Sequence, residues 1–295
     1  MKRVAAVFNP GSGRSEESLR SEIIAVLRRL GEVRLVQPSS ERLFGEDVRA
    51  GTEDADLVVS GGGDGTLSLI LNALEARLSE LTLAVLPLGT GNDFARTMGL
   101  PSDPLEAAES LTTAATRKVD VGRASGGSLR RLFVNGCLGG FPVKANQAID
   151  PGVKRKLGPL AFVVGGARAL GDLDRSSVVV DGHQVTDCIA VGVGNGRTAG
   201  GGVEMWPSAR PDDGLLDLCA LSATSVPEAL VLAGRARVGA HEDAEGTVMI
   251  RGREFEVEAD PPMEFNVDGE LVGLRTPARF ATVGTARFLS IPSAE

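Results

Sequence analysis

Val58 to Leu67 reads VVSGGGDGTL: a β-branched apolar run, three glycines, an aspartate, then glycine and threonine. Residues of these types in this order can hold a phosphate group. The apolar run predicts a buried strand that delivers the chain to a surface crevice. Glycines reach positive φ and let backbone N–H groups close on a ligand, and such oriented N–H groups bind anions. A helix predicted from Leu67 to about Ala76 would add the partial positive charge of its N-terminus. Asp64 is the odd element, because a carboxylate beside phosphate oxygens is repelled unless a cation stands between them. The segment therefore predicts a phosphate site with Mg²⁺. These residues alone leave one alternative open, a glycine-rich strand-to-helix turn with no ligand.

The elements that must position this turn alternate strand and helix over the first 122 residues. Strands are predicted at Val4–Phe8, Val33–Val36, Leu57–Ser60 and Leu83–Leu88. A helix between the first two carries Leu19, Ile23, Leu27 and Leu30 on one face, with Glu16 and Glu17 at its start and Gly31 at its stop. Asp103, Pro104 and Glu106 open another, read through Ala115. This order implies right-handed crossovers and a parallel sheet, whose ligands sit beyond the carboxyl ends of the strands. Three turns fall there: Asn9-Pro10-Gly11-Ser12-Gly13, the 61–66 segment, and Gly89-Thr90-Gly91-Asn92-Asp93.

Beyond residue 122 short β segments take over, with hairpin signals at Asp181-Gly182 and Asp268-Gly269. Helices are expected at about Pro159–Leu170 and from Pro227, the latter after a Ser225…Glu228 capping box. The pattern divides the chain into an α/β domain (1–122), a mainly antiparallel β domain (123–276) and terminal strands (277–295). With no linker between them, the domains are expected to pack closely around the site.

Composition removes several classes. The balance of 31 basic and 39 acidic residues gives −8, which speaks against a nucleic-acid surface. Two histidines and three dispersed cysteines leave no zinc cluster and no Ser-His-Asp triad, and suit a reducing cytoplasm. The most apolar uncharged stretch, Leu157–Ala167, is 11 residues, short of the roughly 20 that span a bilayer. Glycine is enriched at 38 residues, so tight turns and close backbone approaches are expected.

Asp64, Asp93, Asp120 and Asp213 each stand in or beside a turn at a strand end, where an aspartate commonly serves as a turn or capping residue. Asp268-Gly269 has the same form as Asp181-Gly182, and local chemistry does not separate the two. One literal dinucleotide fingerprint, Gly194-x-Gly196-x-x-Ala199, is rejected because a glycine run and Trp206-Pro207 follow it where a helix is required.

The combination is more specific than its parts. NPGSG at 9–13, GGGDGTL at 61–67, PLGTGNDFAR at 87–96, VDVG at 119–122, GNGRTAGGG at 194–202, PSARPDDGLLDL at 207–218 and DGE at 268–270 occur in this order. The series resembles the diacylglycerol kinase catalytic-domain family, which includes bacterial soluble lipid kinases and sphingosine kinases. The resemblance implies a two-domain lipid kinase/NAD kinase-like fold whose last strands return to the first domain. It implies an ATP site lined by Asn9 to Gly13 (Pro10, Gly11 and Ser12 included), Gly62, Gly63, Asp64, Gly65, Thr66, Thr90 and Asn92, with Ser39 or Ser40 as a further contact. Asp64, Asp93 and Asp120 would organise Mg²⁺ through water. Asp213 with the carbonyls of Arg210 and Leu215 would form a structural Mg²⁺ site, a hard-cation donor set. The general base would come from Asp268 or Glu270, and Arg14 and Arg96 are candidate phosphate contacts.

The implied reaction is transfer of the γ-phosphoryl group of ATP to a lipid hydroxyl, diacylglycerol giving phosphatidic acid. Another lipid, a soluble acceptor such as NAD, or a non-catalytic relative are the alternatives. A cytoplasmic protein, peripheral at the inner face of the membrane and meeting its lipid at the bilayer surface, is expected, with a homodimer left open. Relatives commonly carry Asn-Glu where this chain has Ser68 and Leu69. The core offers a simple reading of Leu69, beside Leu67, Ile70, Leu71 and Leu74.

Overall fold

The computed structural model describes residues 1–9, 17–140 and 175–291. The chain divides into two compact units, Met1–Val119 with the chain from Thr285 onward, and Asp120–Gly284. The sequence pattern placed these divisions at 122 and 276.

In the first unit, β1 (Arg3–Phe8), β2 (Glu32–Val36), β3 (Leu57–Gly62) and β4 (Thr82–Pro87) form a parallel sheet in the order β2-β1-β3-β4. All of β3 and nearly all of β1 and β4 is buried, as strands covered on both faces must be. Helices α1 (Glu17–Leu27), α2 (Phe44–Gly51), α3 (Asp64–Ala73), α4 (Asp93–Thr97) and α5 (Pro104–Leu111) complete the unit, with α1 against α5 and α2 against α3. The register sets Phe8 opposite Gly61 and Gly62 opposite Pro87, so three strands end at one edge.

Two helix boundaries differ from expectation. Helix α5 stops at Leu111, short of Ala115, because two β-branched threonines follow and Ala115 already opens the next strand. Helix α3 begins at Asp64, three residues early, so Asp64 belongs to its first turn. That phase also decides Leu69. At about 100° per residue, Leu67, Ile70, Leu71 and Leu74 share the buried face, while Leu69 points away and is exposed. The core reading of Leu69 is therefore corrected; Ser68 is the buried member of the pair.

The second unit is an antiparallel β sandwich. It holds β5 (Ala115–Gly126, from Asp120 on), β6 (Leu129–Phe133), β7 (Gly136–Gly140), β8 (Ser176–Val180), β9 (His183–Gly194), β10 (Leu216–Ser222), β11 (Thr247–Gly252), β12 (Glu254–Asp260), β13 (Glu264–Val267), β14 (Glu270–Arg275) and the first part of β15 (Ala278–Ser290). The last residues of β15 belong to the first unit, where Arg287 and Phe288 pair in parallel with Thr82 and Leu83 of β4. One helix, α6 (Val226–Ala236), is described here, capped by Ser225 as expected. The predicted helix at 159–170 lies outside the described residues. No helix among the described residues is long and apolar enough to cross a membrane. Cys137, Cys188 and Cys219 are free and buried, and burial pushes all three thiols up, which suits inert packing.

Glycine enrichment has a visible cause in this unit. The single tryptophan, Trp206, is fully buried against β7 and β9. A Cβ on Gly136 or Gly192 would stand 2.7 Å from its ring atoms, and one on Gly194 would fall inside the indole. The glycines that mimic a dinucleotide fingerprint thus partly form a socket for Trp206. Gly194→Ala is expected to cost about 2 kcal/mol or more, as overpacking does, read as a lower urea midpoint by Trp206 fluorescence. An unchanged midpoint would remove the socket argument.

Candidate functional site

At the carboxyl edge of the first unit's sheet, the turn after β3 and the turn after β4 meet through glycine backbones. A Cβ on Gly63 would lie 3.0 Å from the Cα of Gly89, so no side chain fits between them. Asn92 adopts the left-handed conformation (φ 52°) and closes its turn by accepting from the Gly89 N–H at 2.9 Å and donating to its carbonyl at 2.8 Å. Across this junction the Asp64 carboxylate accepts the N–H groups of Asp93 (3.1 Å) and Phe94 (3.0 Å). A residue of α3 therefore caps α4, placing a negative charge at the helix end that favours one. Asn9 joins from β1, donating through Nδ2 to Thr66 Oγ1 at 3.2 Å.

Asn9, Gly62, Gly63, Asp64, Gly65, Thr66, Asn92 and Asp93 are thus gathered, and Thr90 is exposed in the adjoining turn. Pro10, Gly11, Ser12, Gly13 and Arg14 lie outside the described residues. Ser40, in the loop after β2, accepts the Leu43 N–H at 3.3 Å, while Ser39 binds Asp47.

The charges at this edge are in conflict. Burial, and then the neighbouring Asp93, push the Asp64 carboxyl up to about 6, although two N–H groups pull the other way. Asp93 is buried and bonded to Arg96 Nη1 at 2.8 Å, and Arg96 Nη2 also donates to the Gly91 carbonyl at 3.2 Å. Arg96, a candidate phosphate contact, thus spends two of its donors on this turn, and its side chain is 48% exposed. Two repelling carboxylates fit a hard cation. No group of three or more acidic, histidine or cysteine side chains among the described residues could hold a metal. Mg²⁺ would accordingly complete its shell from water and nucleotide oxygens, its ordinary habit.

The remaining expected residues belong to the second unit. Asp120 is fixed through its whole backbone: its N–H donates to Pro211 O (2.7 Å), its carbonyl accepts Asn195 Nδ2 (2.9 Å), and its carboxylate accepts the Gly214 N–H (2.7 Å). Burial raises its pKa, the Gly214 N–H opposes this, and Asp213 and Asp212 add to the rise. Asp213 accepts the Leu215 N–H at 3.0 Å and is paired with the Arg251 guanidinium. Arg251 also faces Asp217 at 3.5 Å, and Arg210 is exposed. The donor set expected for a structural Mg²⁺ therefore already has a cation on its carboxylate, and a metal would have to displace Arg251.

Asp268 and Glu270 differ sharply. Asp268 is buried, and Oδ1 accepts the N–H groups of Asn135 (3.0 Å) and Gly136 (2.9 Å), while Oδ2 accepts that of Val134 (3.1 Å). Both Oδ1 lone pairs are spent. Glu270 opens β14 and is exposed. Asn135, Asn195 and Arg251 were not singled out in the sequence. The only signal for the two asparagines is a polar residue beside glycine at a strand end.

Comparison with known proteins identifies the family. Residues 3–124 match the diacylglycerol kinase catalytic domain, and residues 137–288 match the YegS C-terminal NAD kinase beta sandwich-like domain. A protein of Pseudomonas putida named probable lipid kinase YegS-like is 35% identical over 83% of this chain and 80% of its own length. A Xanthomonas euvesicatoria protein of the same name is 35% identical over 88% of this chain and 87% of its own. A Bacillus anthracis crystal structure, described as that of a candidate diacylglycerol kinase, superposes with a TM-score of 0.83 at 25% identity, covering 100% of this chain and 97% of that one.

Two outcomes are expected. The Asp64 carboxyl titrates near 3.9 when unfolded and at about 6 when folded. Its penalty is absent below about pH 4, grows as pH rises from 4 to 6 and levels off above that, at about 3 kcal/mol. In EDTA, the melting temperature should thus change less favourably with rising pH between about 4 and 6 for the wild type than for Asp93→Asn; parallel curves would contradict the conflict. Asp268→Ala leaves three N–H groups without their acceptor and should cost about 3 kcal/mol in denaturant unfolding, and a change below about 0.5 kcal/mol would remove its anchoring role.

Proposed function

The chain belongs to the diacylglycerol kinase catalytic-domain family, among the YegS-like lipid kinases, and from that premise we propose that it transfers the γ-phosphoryl group of ATP to a lipid hydroxyl, with diacylglycerol as acceptor and phosphatidic acid as product. The observation that carries this reading is the glycine-to-glycine junction at Gly63 and Gly89, with Asp64 clamped across it. Phosphoryl transfer asks a protein mainly for positioning and for neutralisation of charge. The bare backbones of Gly63 and Gly89 let the two turns close on each other, and the first turn of α3, whose leading N–H groups have no acceptor within the helix, starts at the same point. Bound Mg²⁺, associated with Asp64 and Asp93, would supply positive charge to the transferred group. Asn9 and Thr66 steady the rim of the turn through their mutual hydrogen bond.

The proton of the attacking hydroxyl needs an acceptor with a free lone pair within hydrogen-bond reach. Asp268 is occupied by backbone N–H groups, so Glu270 is assigned as the base and Asp268 as the residue that shapes the turn carrying it. Leu69, turned outward on α3, leaves the buried face of the helix unaltered.

The test is a turnover assay with ATP labelled at the γ position, Mg²⁺, and diacylglycerol, sphingosine or phosphatidylglycerol in mixed micelles, with NAD in solution as the fourth acceptor. Label is expected in phosphatidic acid. Label in another lipid would correct the acceptor, and label only in NAD, or none, would overturn the lipid-kinase mechanism. Glu270→Gln should lower kcat by about a hundredfold or more with KM for ATP unchanged. Full activity in that variant would reject the base assignment.

A further inference from the structure

Helix α6 is apolar on two opposite sides. Ala229 and Leu232 are buried in the second unit's smaller core around Trp206, and Ala236 is buried on the same side of the helix. At about 100° per residue, Leu230, Val231 and Gly234 fall on the reverse side. Leu230 is 53% exposed and Val231 57% exposed, and Val238, in the turn that follows, is 67% exposed. Val226 at the start of the helix is 37% exposed. These four are a large share of the exposed big apolar side chains among the described residues, the rest being scattered along the chain. Isolated apolar side chains on a surface need no explanation, but a cluster does.

The charges around this stripe are arranged on its borders. Arg235 lies along one flank and Arg237 along the other, and both are exposed. The only acid on the helix, Glu228, is tied down at the cap, accepting from the Thr224 N–H and hydroxyl at 2.8 Å each. Further acids lie past the helix end: the Glu204 carboxylate stands beside Gly239, and Asp243 and Glu245 are exposed in the segment that follows. A stripe of Leu and Val bordered by arginines matches a layer that is apolar at depth and negative at its surface.

We propose that the outer face of α6, through Leu230, Val231 and Val238 with Arg235 and Arg237 at its edges, docks this protein on the surface of a lipid bilayer containing anionic lipids. The inference rests on the lipid-kinase reading for its choice of occupant, since a lipid acceptor must be met at a membrane. It assigns to α6 a role outside the phosphate site: holding the protein at the interface, so that loss of the stripe affects access to membrane-bound substrate and leaves the chemistry alone. Arginine at the border adds electrostatic attraction that salt screens, while the apolar stripe supplies salt-insensitive insertion.

The experiment compares the full-length wild type with Leu230→Ser/Val231→Ser and with Arg235→Glu/Arg237→Glu. Each is sedimented with vesicles of phosphatidylcholine alone or mixed with phosphatidylglycerol, and assayed on vesicle-borne diacylglycerol and on a short-chain diacylglycerol dispersed as monomer. The wild type should sediment with mixed vesicles. The serine variant should lose about tenfold or more in binding to both vesicle types, and the glutamate variant should lose its preference for phosphatidylglycerol. Both should turn over the monomeric substrate as the wild type does. Wild-type vesicle binding in the serine variant overturns the proposal. So does a dimer, measured by light scattering, that dissociates in that variant, because the stripe would then be covered by a second copy. Absent turnover on every acceptor with intact, α6-dependent vesicle binding would reject the kinase reading while leaving the docking surface standing.

Discussion

The first unit's candidate site depends on one carboxylate placed where a carboxylate is costly. Asp64 leaves the end of β3 within the first turn of α3 and takes the two leading N–H groups of α4. That contact fixes the turn after β4 to the turn after β3. It requires the Gly63 and Gly89 backbones to pass without side chains. It also brings Asp64 beside buried Asp93, so that the same contact which builds the site sets two carboxylates together, a repulsion that Arg96 relieves only in part. A helix cap would ordinarily relax toward solvent. Here it is held against burial and repulsion, which is the condition of a site that expects a counter-ion.

The second unit uses the same device at its own turns. Asp268 gathers three N–H groups from residues 134–136, and Asp120 and Asn195 fasten neighbouring strand ends. In both units short turns at strand ends are shaped by polar side chains that accept or donate to backbone. The catalytic assignment follows from this division of labour. An aspartate that gives three of its lone pairs to backbone donors serves geometry, whereas Glu270, two residues later and exposed, is assigned to the chemistry.

Much of the first unit could be read from the chain because its strands are long apolar runs punctuated by glycine, and a parallel order follows from strand-helix alternation. The β-rich second unit was recognised in outline, but β10 and β11, which pair with each other across 25 or more residues, have no local turn signal to announce them. Helix α4 has five residues, too few for any periodicity. The start of α3 was misplaced because glycine and aspartate are poor helix formers, yet the cap contact to α4 and the strand end place them inside the helix. The twin Asp-Gly turns show where sequence runs out. Asp181 and Asp268 share positive φ and a following glycine, but Asp181 accepts one N–H, from Glu256, at an exposed hairpin, whereas Asp268 is buried under three. Arg251 at Asp213 is a second such case, since a guanidinium 38 positions away cannot be assigned to a carboxylate by spacing.

The central claim is that nucleotide and cation belong to the Asp64 edge while Glu270 acts only on the acceptor hydroxyl. Calorimetric titration of a non-hydrolysable ATP analogue, with and without Mg²⁺, into the wild type, Asp64→Asn and Glu270→Gln tests that separation directly. The account predicts that Asp64→Asn loses the Mg²⁺-dependent gain in affinity while Glu270→Gln binds as the wild type does. Undiminished Mg²⁺-dependent binding in Asp64→Asn, or its loss in Glu270→Gln, would contradict it.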